Sequence, residues 1–214
     1  MNDLEKATDD IEEEVNPWTD IWVRPRQTID WIIDNHSNLL TTTILIYLGG
    51  VYFGIGQAEF KDYGDKMDVS KILTMTIFVS GFGGLLTYNI WIWAIDFCAS
   101  WFGGKGNFRK TQIAFAWAML PMAAGLILTL IGHVLFEDEL FTSDTPNIDG
   151  SDFLTISLWT YGIIELVLGI WHVVLLVVTV SQVQRFSVAK SIASIITGLL
   201  ILILPLIGLV LLMR

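Results

Sequence analysis

Five long apolar stretches constrain the fold of this chain more than any other feature of its sequence. They lie at residues 39–58, 72–102, 111–136, 153–181 and 188–213, and together they define a transmembrane domain over residues 39–214. A helix needs roughly 20 apolar residues to cross a hydrocarbon core about 30 Å thick, and each stretch is long enough. The second and fourth are closer to about 30 residues, so we expect them to tilt or to project beyond the bilayer. The sequence predicts an all-α, polytopic bundle of five spans.

The composition agrees with a membrane protein and excludes two other classes. Only 16% of the residues are charged, against about 25% in soluble domains. The formal net charge of −10 argues against binding to nucleic acid, which needs a basic surface. Cys98 is the only cysteine, so no internal disulfide can form. The first residues lack the pattern of a signal peptide, and we expect none to be removed.

The segment before the first span divides into two parts. Residues 1–15 are dominated by Asp and Glu, which predicts a disordered acidic tail. Residues 16–38 carry apolar side chains at helical spacing, which predicts a cytoplasmic amphipathic helix at the membrane interface. Asn16 and Pro17 suit a helix start, whereas Pro25 is expected to bend or interrupt the helix. This helix is interpreted as a surface anchor and as a docking element for a cytosolic partner.

The distribution of Lys and Arg predicts the orientation, because cytoplasmic loops retain these residues. An N-terminus inside places eight basic residues in the cytoplasm: Lys6, Arg24, Arg26, Lys105, Arg109, Lys110, Arg185 and Lys190. The opposite side then has an acidic loop over residues 137–152 that contains no Lys or Arg. Lys61, Lys66 and Lys71 oppose this assignment, although acidic residues lie between them. We expect the N-terminus inside and the C-terminus outside.

Ionisable residues inside spans are candidate sites because they are expensive to place in hydrocarbon. Glu165 lies close to the middle of the fourth span and shares a helix face with His172, Gly162 and Gly169. Asn89 and Asp96 share one side of the second span. One hypothesis is a polar track for a proton, an ion or a lipid headgroup, formed by Glu165, Asn89, Asp96 and His172. The other is that Glu165 bonds to Asn89 or a Tyr and fixes helix packing.

Other motifs add little evidence for chemistry. His133 and His172 lie on different spans without ligand spacing, so no metal site is predicted. No nucleophile, His and acid occur together, and we predict no catalytic residue and no cofactor. Residues 103–106 lack the spacing of a phosphate-binding loop and are interpreted as a tight turn whose Lys105 reaches lipid phosphate. Gly50 and Gly54 form a GxxxG pattern, a weak signal for a dimer.

Four segments carry a family resemblance. They are residues 16–29, which begin Asn-Pro-Trp and include Arg-Pro-Arg, residues 103–110, residues 116–121 and residues 184–190. In this order they resemble prokaryotic members of the Ypt-interacting protein (Yip) domain family. The resemblance covers the chain from Asn16 onward and implies a five-helix bundle with a cytoplasmic N-terminus in a prokaryotic cytoplasmic membrane. Eukaryotic relatives associate with small prenylated GTPases and with one another in vesicle traffic, whereas prokaryotic members have no well-defined activity.

Two hypotheses of function follow. The first is a non-enzymatic membrane protein that organises a membrane or scaffolds protein partners through its cytoplasmic elements. Membrane lipids, proteins on the cytoplasmic face and a second copy of the chain are the candidate partners. The alternative is a small transporter, channel or lipid-translocating protein that uses the polar track around Glu165. The candidate contacts of the cytoplasmic face with partners or lipid headgroups are Trp18, Trp22, Arg24, Arg26, Lys105, Arg109, Lys110 and Arg185.

Overall fold

The computed structural model describes residues 15–35 and 38–212, and within these ranges the chain is helical and has no strand. Most of the predicted acidic tail lies outside the described residues. The helices are α1 (Pro17–Asp20), α2 (Pro25–Asn35), α3 (Leu39–Phe60), α4 (Val69–Met75), α5 (Gly81–Trp101), α6 (Phe108–Ala118), α7 (Leu120–Phe136), α8 (Pro146–Asp149), α9 (Asp152–Val183) and α10 (Val188–Leu212). A π-helical segment, Thr76–Ser80, joins α4 to α5. Short 3-10 helices cover Tyr63–Asp65 and Glu137–Phe141.

Five of these helical units are long and apolar enough to cross a membrane. They are Leu39–Phe60, Val69–Trp101, Phe108–Phe141, Asp152–Val183 and Val188–Leu212. The five-span, all-helical fold predicted from the sequence is therefore confirmed. The third span lies at the centre of the bundle. In its apolar 18-residue stretch 67% is buried inside the protein, whereas the corresponding stretch of the fifth span is only 6% buried. The exposed apolar side chains of the outer spans form the surface that meets hydrocarbon.

The alternating direction of the spans gives the bundle two ends. We call residues 15–35, 102–110 and 184–187 the proximal end, and residues 61–68 and 137–151 the distal end. At the distal end, the Asp65 carboxylate accepts hydrogen bonds from the Ser143 hydroxyl (2.7 Å) and backbone N–H (3.2 Å). These bonds hold the pKa of Asp65 below its ordinary value. The contact between the two distal loops therefore forms with an ionised carboxylate at neutral pH.

The segment before the first span forms two helices that pack on the bundle. Asn16 caps α1 by accepting the Trp18 N–H, and Pro25 begins α2, so the predicted interruption lies between them. Ile21, Ile29 and Ile32 are fully buried. Helix α2 contacts α9 and α6. The apolar face of this segment packs against protein, because the span ends offer it an apolar surface, and the predicted position at the membrane interface stays a prediction.

At Gly50 and Gly54 of the first span, atoms of the second span occupy the space that a side chain would need. A Cβ on Gly50 would lie 2.6 Å from the Ser80 carbonyl oxygen and 3.0 Å from the Gly84 Cα, and a Cβ on Gly54 would meet the Ser80 side chain. Both glycines are buried. The GxxxG pattern therefore brings the second span close to the first, and the dimer hypothesis loses the pattern that suggested it.

Candidate functional site

Gln184 occupies the centre of a hydrogen-bonded cluster at the proximal end. Its side chain is buried, and the amide Nε2 donates to Asp96 Oδ1 (2.8 Å) and to Thr111 Oγ1 (2.9 Å). Its Oε1 accepts the Gly106 N–H (3.0 Å), and its backbone oxygen accepts the Lys105 N–H (2.9 Å). We call Gln184, Asp96, Thr111 and the turn of residues 103–106 the Gln184 clasp. It joins the proximal ends of the second, third and fourth spans.

The glycine-rich turn has a packing role in this clasp. Gly103 has a φ of +80°, a conformation that favours glycine. A Cβ on Gly104 would meet the Gln184 side chain and lie 2.9 Å from the Ala99 carbonyl oxygen. A Cβ on Gly106 would lie 2.8 Å from Gln184 Cδ. The glycines therefore let the turn close directly over the buried amide, and this explains a motif that superficially resembles a phosphate cradle.

A second set of polar contacts seats helix α2 on the end of α9. The amide of Gln182 donates from Nε2 to Asp30 Oδ2 (2.6 Å), and its Oε1 accepts from Arg26 Nη1 (3.3 Å). Arg185 forms an ion pair with Asp30, with 3.4 Å between Nη2 and Oδ1. These bonds are partly exposed, so each contributes modestly, and the buried isoleucines supply most of the docking free energy.

The predicted contacts of the proximal end have different surroundings. Trp18 is half-exposed and lies beside Trp117, with ring centroids 5.0 Å apart. Trp22 donates from Nε1 to the Trp18 carbonyl (3.1 Å). Lys105 and Lys110 are exposed. Three arginines contact polar side chains: Arg26 bonds to Gln182, Arg109 bonds to Gln112, and Arg185 forms the ion pair with Asp30. Arg24 lines a surface groove together with Val23 and Val178.

In the distal half of the bundle, two reciprocal tyrosine–glutamate hydrogen bonds connect the first and fourth spans. Tyr52 of α3 donates to Glu165 Oε1 of α9 (3.4 Å). In return, Tyr161 of α9 donates to Glu59 Oε1 of α3 (3.2 Å). The Tyr161 hydroxyl also interacts with Glu165, so the four side chains form one network. We call Tyr52, Glu59, Tyr161 and Glu165 the distal network.

Helix α7 lies between these two spans and provides room for both tyrosines. A Cβ on Gly125 would collide with the Tyr52 ring, and a Cβ on Gly132 would lie 2.8 Å from the Tyr161 ring. Between the two glycines, the buried Thr129 hydroxyl donates to the Gly125 carbonyl (3.1 Å). Gly125 and Gly132 therefore leave the space in which the Tyr52 and Tyr161 rings pass the third span and reach the glutamates of the opposite spans.

The predicted polar track of Glu165, Asn89, Asp96 and His172 is not one cluster in the structure. The Asn89 side chain bonds to Gln112 and to the Leu85 carbonyl. Asp96 belongs to the Gln184 clasp. His172 Nδ1 lies 2.8 Å from the Ala118 carbonyl, at the break between α6 and α7 where Pro121 interrupts the helical hydrogen bonding. Glu165 has a tyrosine partner instead, one of the two alternatives expected from the sequence.

The sequence interpretation missed Glu59, Tyr52 and Tyr161 as members of the distal network. Glu59 lies at the end of the first span beside Lys61, so it had the signature of a loop charge. The only available signal was the helical spacing of Tyr52 and Glu59, seven residues apart on one face. By contrast, Gly162 and Gly169, which share the Glu165 face, have no packing atoms within 4 Å among the described residues. They do not serve close helix packing there.

The described residues give no arrangement for metal chemistry. No group of three or more His, Cys, Asp or Glu side chains within residues 15–35 and 38–212 could hold a metal ion. The Gln184 clasp holds a carboxylate, a hydroxyl and an amide whose hydrogen bonds are made to one another. The distal network can share protons between phenols and carboxyls. Both arrangements fix helix positions, and the proximal one also shapes a surface.

Comparison with known proteins gives one match. The model of the Yip1 domain family matches residues 19–211, which is nearly all of the chain that the structure describes. No curated protein and no solved structure matches the chain. The match covers the first four spans, the fifth span up to residue 211, and the four resembling segments except residues 16–18. The chain therefore belongs to the Yip1 domain family of membrane proteins.

Proposed function

We propose that this protein is a non-enzymatic organiser of a prokaryotic cytoplasmic membrane that scaffolds protein partners through its proximal end. One observation carries the proposal: three of the four segments that carry the family resemblance, distant in sequence, lie at the proximal end, and the buried fourth, residues 116–121, contacts one of them through Trp117. Residues 16–29 pack by Trp18 on Trp117 of the segment 116–121. The turn 103–110 closes on Gln184 of the segment 184–190. A family pattern concentrated on one assembled surface supports a function of that surface.

The proposal includes the side of the membrane that this surface faces. Arg24, Arg26, Lys105, Arg109, Lys110 and Arg185 all lie at the proximal end. The distal loop of residues 137–151 contains only acidic charges. Because short cytoplasmic loops are rich in Lys and Arg, this asymmetry supports a cytoplasmic proximal end. The partner surface would then be available to cytosolic proteins and to the cytosolic parts of other membrane proteins.

In this proposal the distal network has a packing role. Each carboxylate accepts a hydrogen bond from a tyrosine of the opposite span, which fixes the register of α3 against α9. The four residues of the predicted track have separate partners, so no specific observation favours transport through Glu165. Hydrogen bonds of this kind between transmembrane helices contribute on the order of 1 kcal/mol each.

Charge changes at exposed proximal residues test the proposal. The variant would combine Lys105→Gln, Lys110→Gln and Lys190→Gln, which are exposed lysines, and leaves unchanged Arg26 and Arg109, whose side chains bond to Gln182 and Gln112. We expect the recovery of crosslinked partners from native membranes to fall about fivefold, equivalent to ~1 kcal/mol of binding free energy. Quantitative mass spectrometry after crosslinking and affinity purification provides the measurement.

A matched control changes three lysines at or near the distal end, Lys61, Lys66 and Lys71, to Gln. This control removes the same charge from the opposite end of the bundle, and partner recovery should match the unaltered protein. An unchanged set of partners in the proximal variant, or an equal loss in the distal control, would contradict the proposal.

A further inference from the structure

A lateral groove opens on the side of the bundle near the proximal end. It lies between the first, second and third spans and has a volume of about 530 Å³. Its walls are mostly apolar and include Ile46 of α3, Ile90 and Trp93 of α5, and Phe108 of α6. This volume is within the range of roughly 300–1,000 Å³ that is typical of small-molecule sites.

The groove faces hydrocarbon at the depth of one leaflet. Ile90 and Trp93 are each more than half exposed, and their neighbours on the outer face of α5 are also apolar. Trp93 lies about two helical turns before the end of α5 at Trp101, and Gln112 lies about one turn after the start of α6 at Phe108. Tryptophan is enriched where headgroups meet hydrocarbon, so the groove spans this boundary.

A directed chain of hydrogen bonds connects the groove to a cation. Arg109 Nη1 donates to Gln112 Oε1 (2.8 Å), and Gln112 Nε2 donates to Asn89 Oδ1 (2.6 Å). Asn89 Nδ2 then donates to the Leu85 carbonyl (2.7 Å). Gln112 and Asn89 both line the groove. Each donor points along this chain from the Arg109 guanidinium toward the Leu85 carbonyl, and Arg109 lies at the proximal end of the chain, in the first turn of α6.

We propose that this groove binds one anionic diacyl phospholipid from the leaflet next to the proximal end. The apolar walls accommodate an acyl chain, and the phosphate lies at Arg109 and Gln112. A guanidinium carries five N–H donors, so it can serve both Gln112 and a phosphate oxygen. The positive charge of Arg109, bonded to the groove-lining Gln112, is complementary to an anionic headgroup. This inference does not depend on a protein partner and stands or falls separately from the proposed function.

Native mass spectrometry of the full chain tests the lipid site. The purified protein would receive equal amounts of phosphatidylglycerol and phosphatidylcholine with identical acyl chains. We expect one phosphatidylglycerol to be retained per protein, with a preference of about tenfold over phosphatidylcholine, because a charge-assisted contact is available only to a net anionic lipid. Arg109→Gln should abolish the preference, whereas Arg109→Lys should keep most of it.

A second pair of variants tests the groove itself. Ile90→Trp places a larger side chain in the groove and should reduce the retention of both lipids about tenfold, which corresponds to about 1.4 kcal/mol. Leu130→Trp is the control, because Leu130 is equally apolar, is exposed on α7 and does not line this groove. The thermal unfolding temperature of each variant would confirm that it remains folded.

Three results would overturn the inference. The first is equal retention of the two lipids by the unaltered protein, and the second is unchanged lipid retention in Ile90→Trp. The third is a dimer that Ile90→Trp dissociates while the retained lipid stays the same, which would assign the groove to a second copy of the chain.

Discussion

Replacing Gln184 by alanine is expected to lower the free energy of unfolding by about 3 kcal/mol, because alanine cannot form the three hydrogen bonds that the buried amide makes. One of them goes to the carboxylate of Asp96, and bonds to charged groups are the stronger ones. The substitution also leaves the Gly106 N–H without this acceptor. Equilibrium unfolding in mixed micelles, followed by the loss of helix signal, measures the change.

Two further variants make the Gln184 prediction specific. Gln184→Glu keeps the shape of the side chain but places a carboxylate 2.8 Å from Asp96 Oδ1, so we expect a loss at least as large as that of Gln184→Ala. Gln27→Ala is the matched control, because Gln27 is exposed on α2, and its effect should stay within about 0.5 kcal/mol. Unfolding free energies that are equal for Gln184→Ala and the control would show that the clasp does not stabilise the fold.

The second large effect is expected at Gly50, where leucine should lower the free energy of unfolding by about 3 kcal/mol. A Cβ there would lie 2.6 Å from the Ser80 carbonyl oxygen and 3.0 Å from the Gly84 Cα. Both contacts are with backbone, which cannot rotate away as a side chain can. The first and second spans would have to separate, and the π-helical segment that contains Ser80 would shift. Unfolding in mixed micelles again provides the measurement.

Gly56 offers a control on the same helix. A Cβ on Gly56 meets nothing within 4 Å among the described residues. Gly56→Leu adds the same side chain and gains the same helix propensity, since leucine is a better helix former than glycine. The difference between the two variants therefore isolates the contact with the second span. A similar stability for both variants would mean that the two spans are not in close contact at Gly50.

The sequence is sufficient to predict the spans, because their apolar length is a local property. Pro25 likewise marks the break between α1 and α2 through its own backbone geometry. The same local reasoning could not identify which helix packs against a pair of glycines. Gly50 and Gly54 read as a dimer signal, although the second span of the same chain occupies them. A pattern of small residues indicates that another helix packs closely, but it does not identify that helix.

The candidate sites depend on contacts between residues far apart in the chain, and such contacts have no periodic signature. Gln184 and Asp96 are separated by 88 positions, and Tyr52 and Glu165 by 113. Gln184 therefore appeared only as the first residue of a resembling segment. Asn89 and Asp96 share a face of the second span as predicted, yet each bonds to a different residue of the third span, Gln112 and Thr111. Shared helix faces predicted which residues point inward, and packing of the spans decided their partners.

The central claim is that the proximal end, where three of the family segments lie, faces the cytoplasm, and side-specific cysteine labelling tests it most directly. Cys98 is buried and is removed by Cys98→Ala. Single cysteines are then introduced at Lys110, at the proximal end, and at Asp144, at the distal end, since both residues are exposed. Intact cells are treated with a membrane-impermeant maleimide. We predict labelling of the Asp144→Cys protein in intact cells, and of the Lys110→Cys protein only after the cytoplasmic membrane is opened; labelling of Lys110→Cys in intact cells would contradict the account.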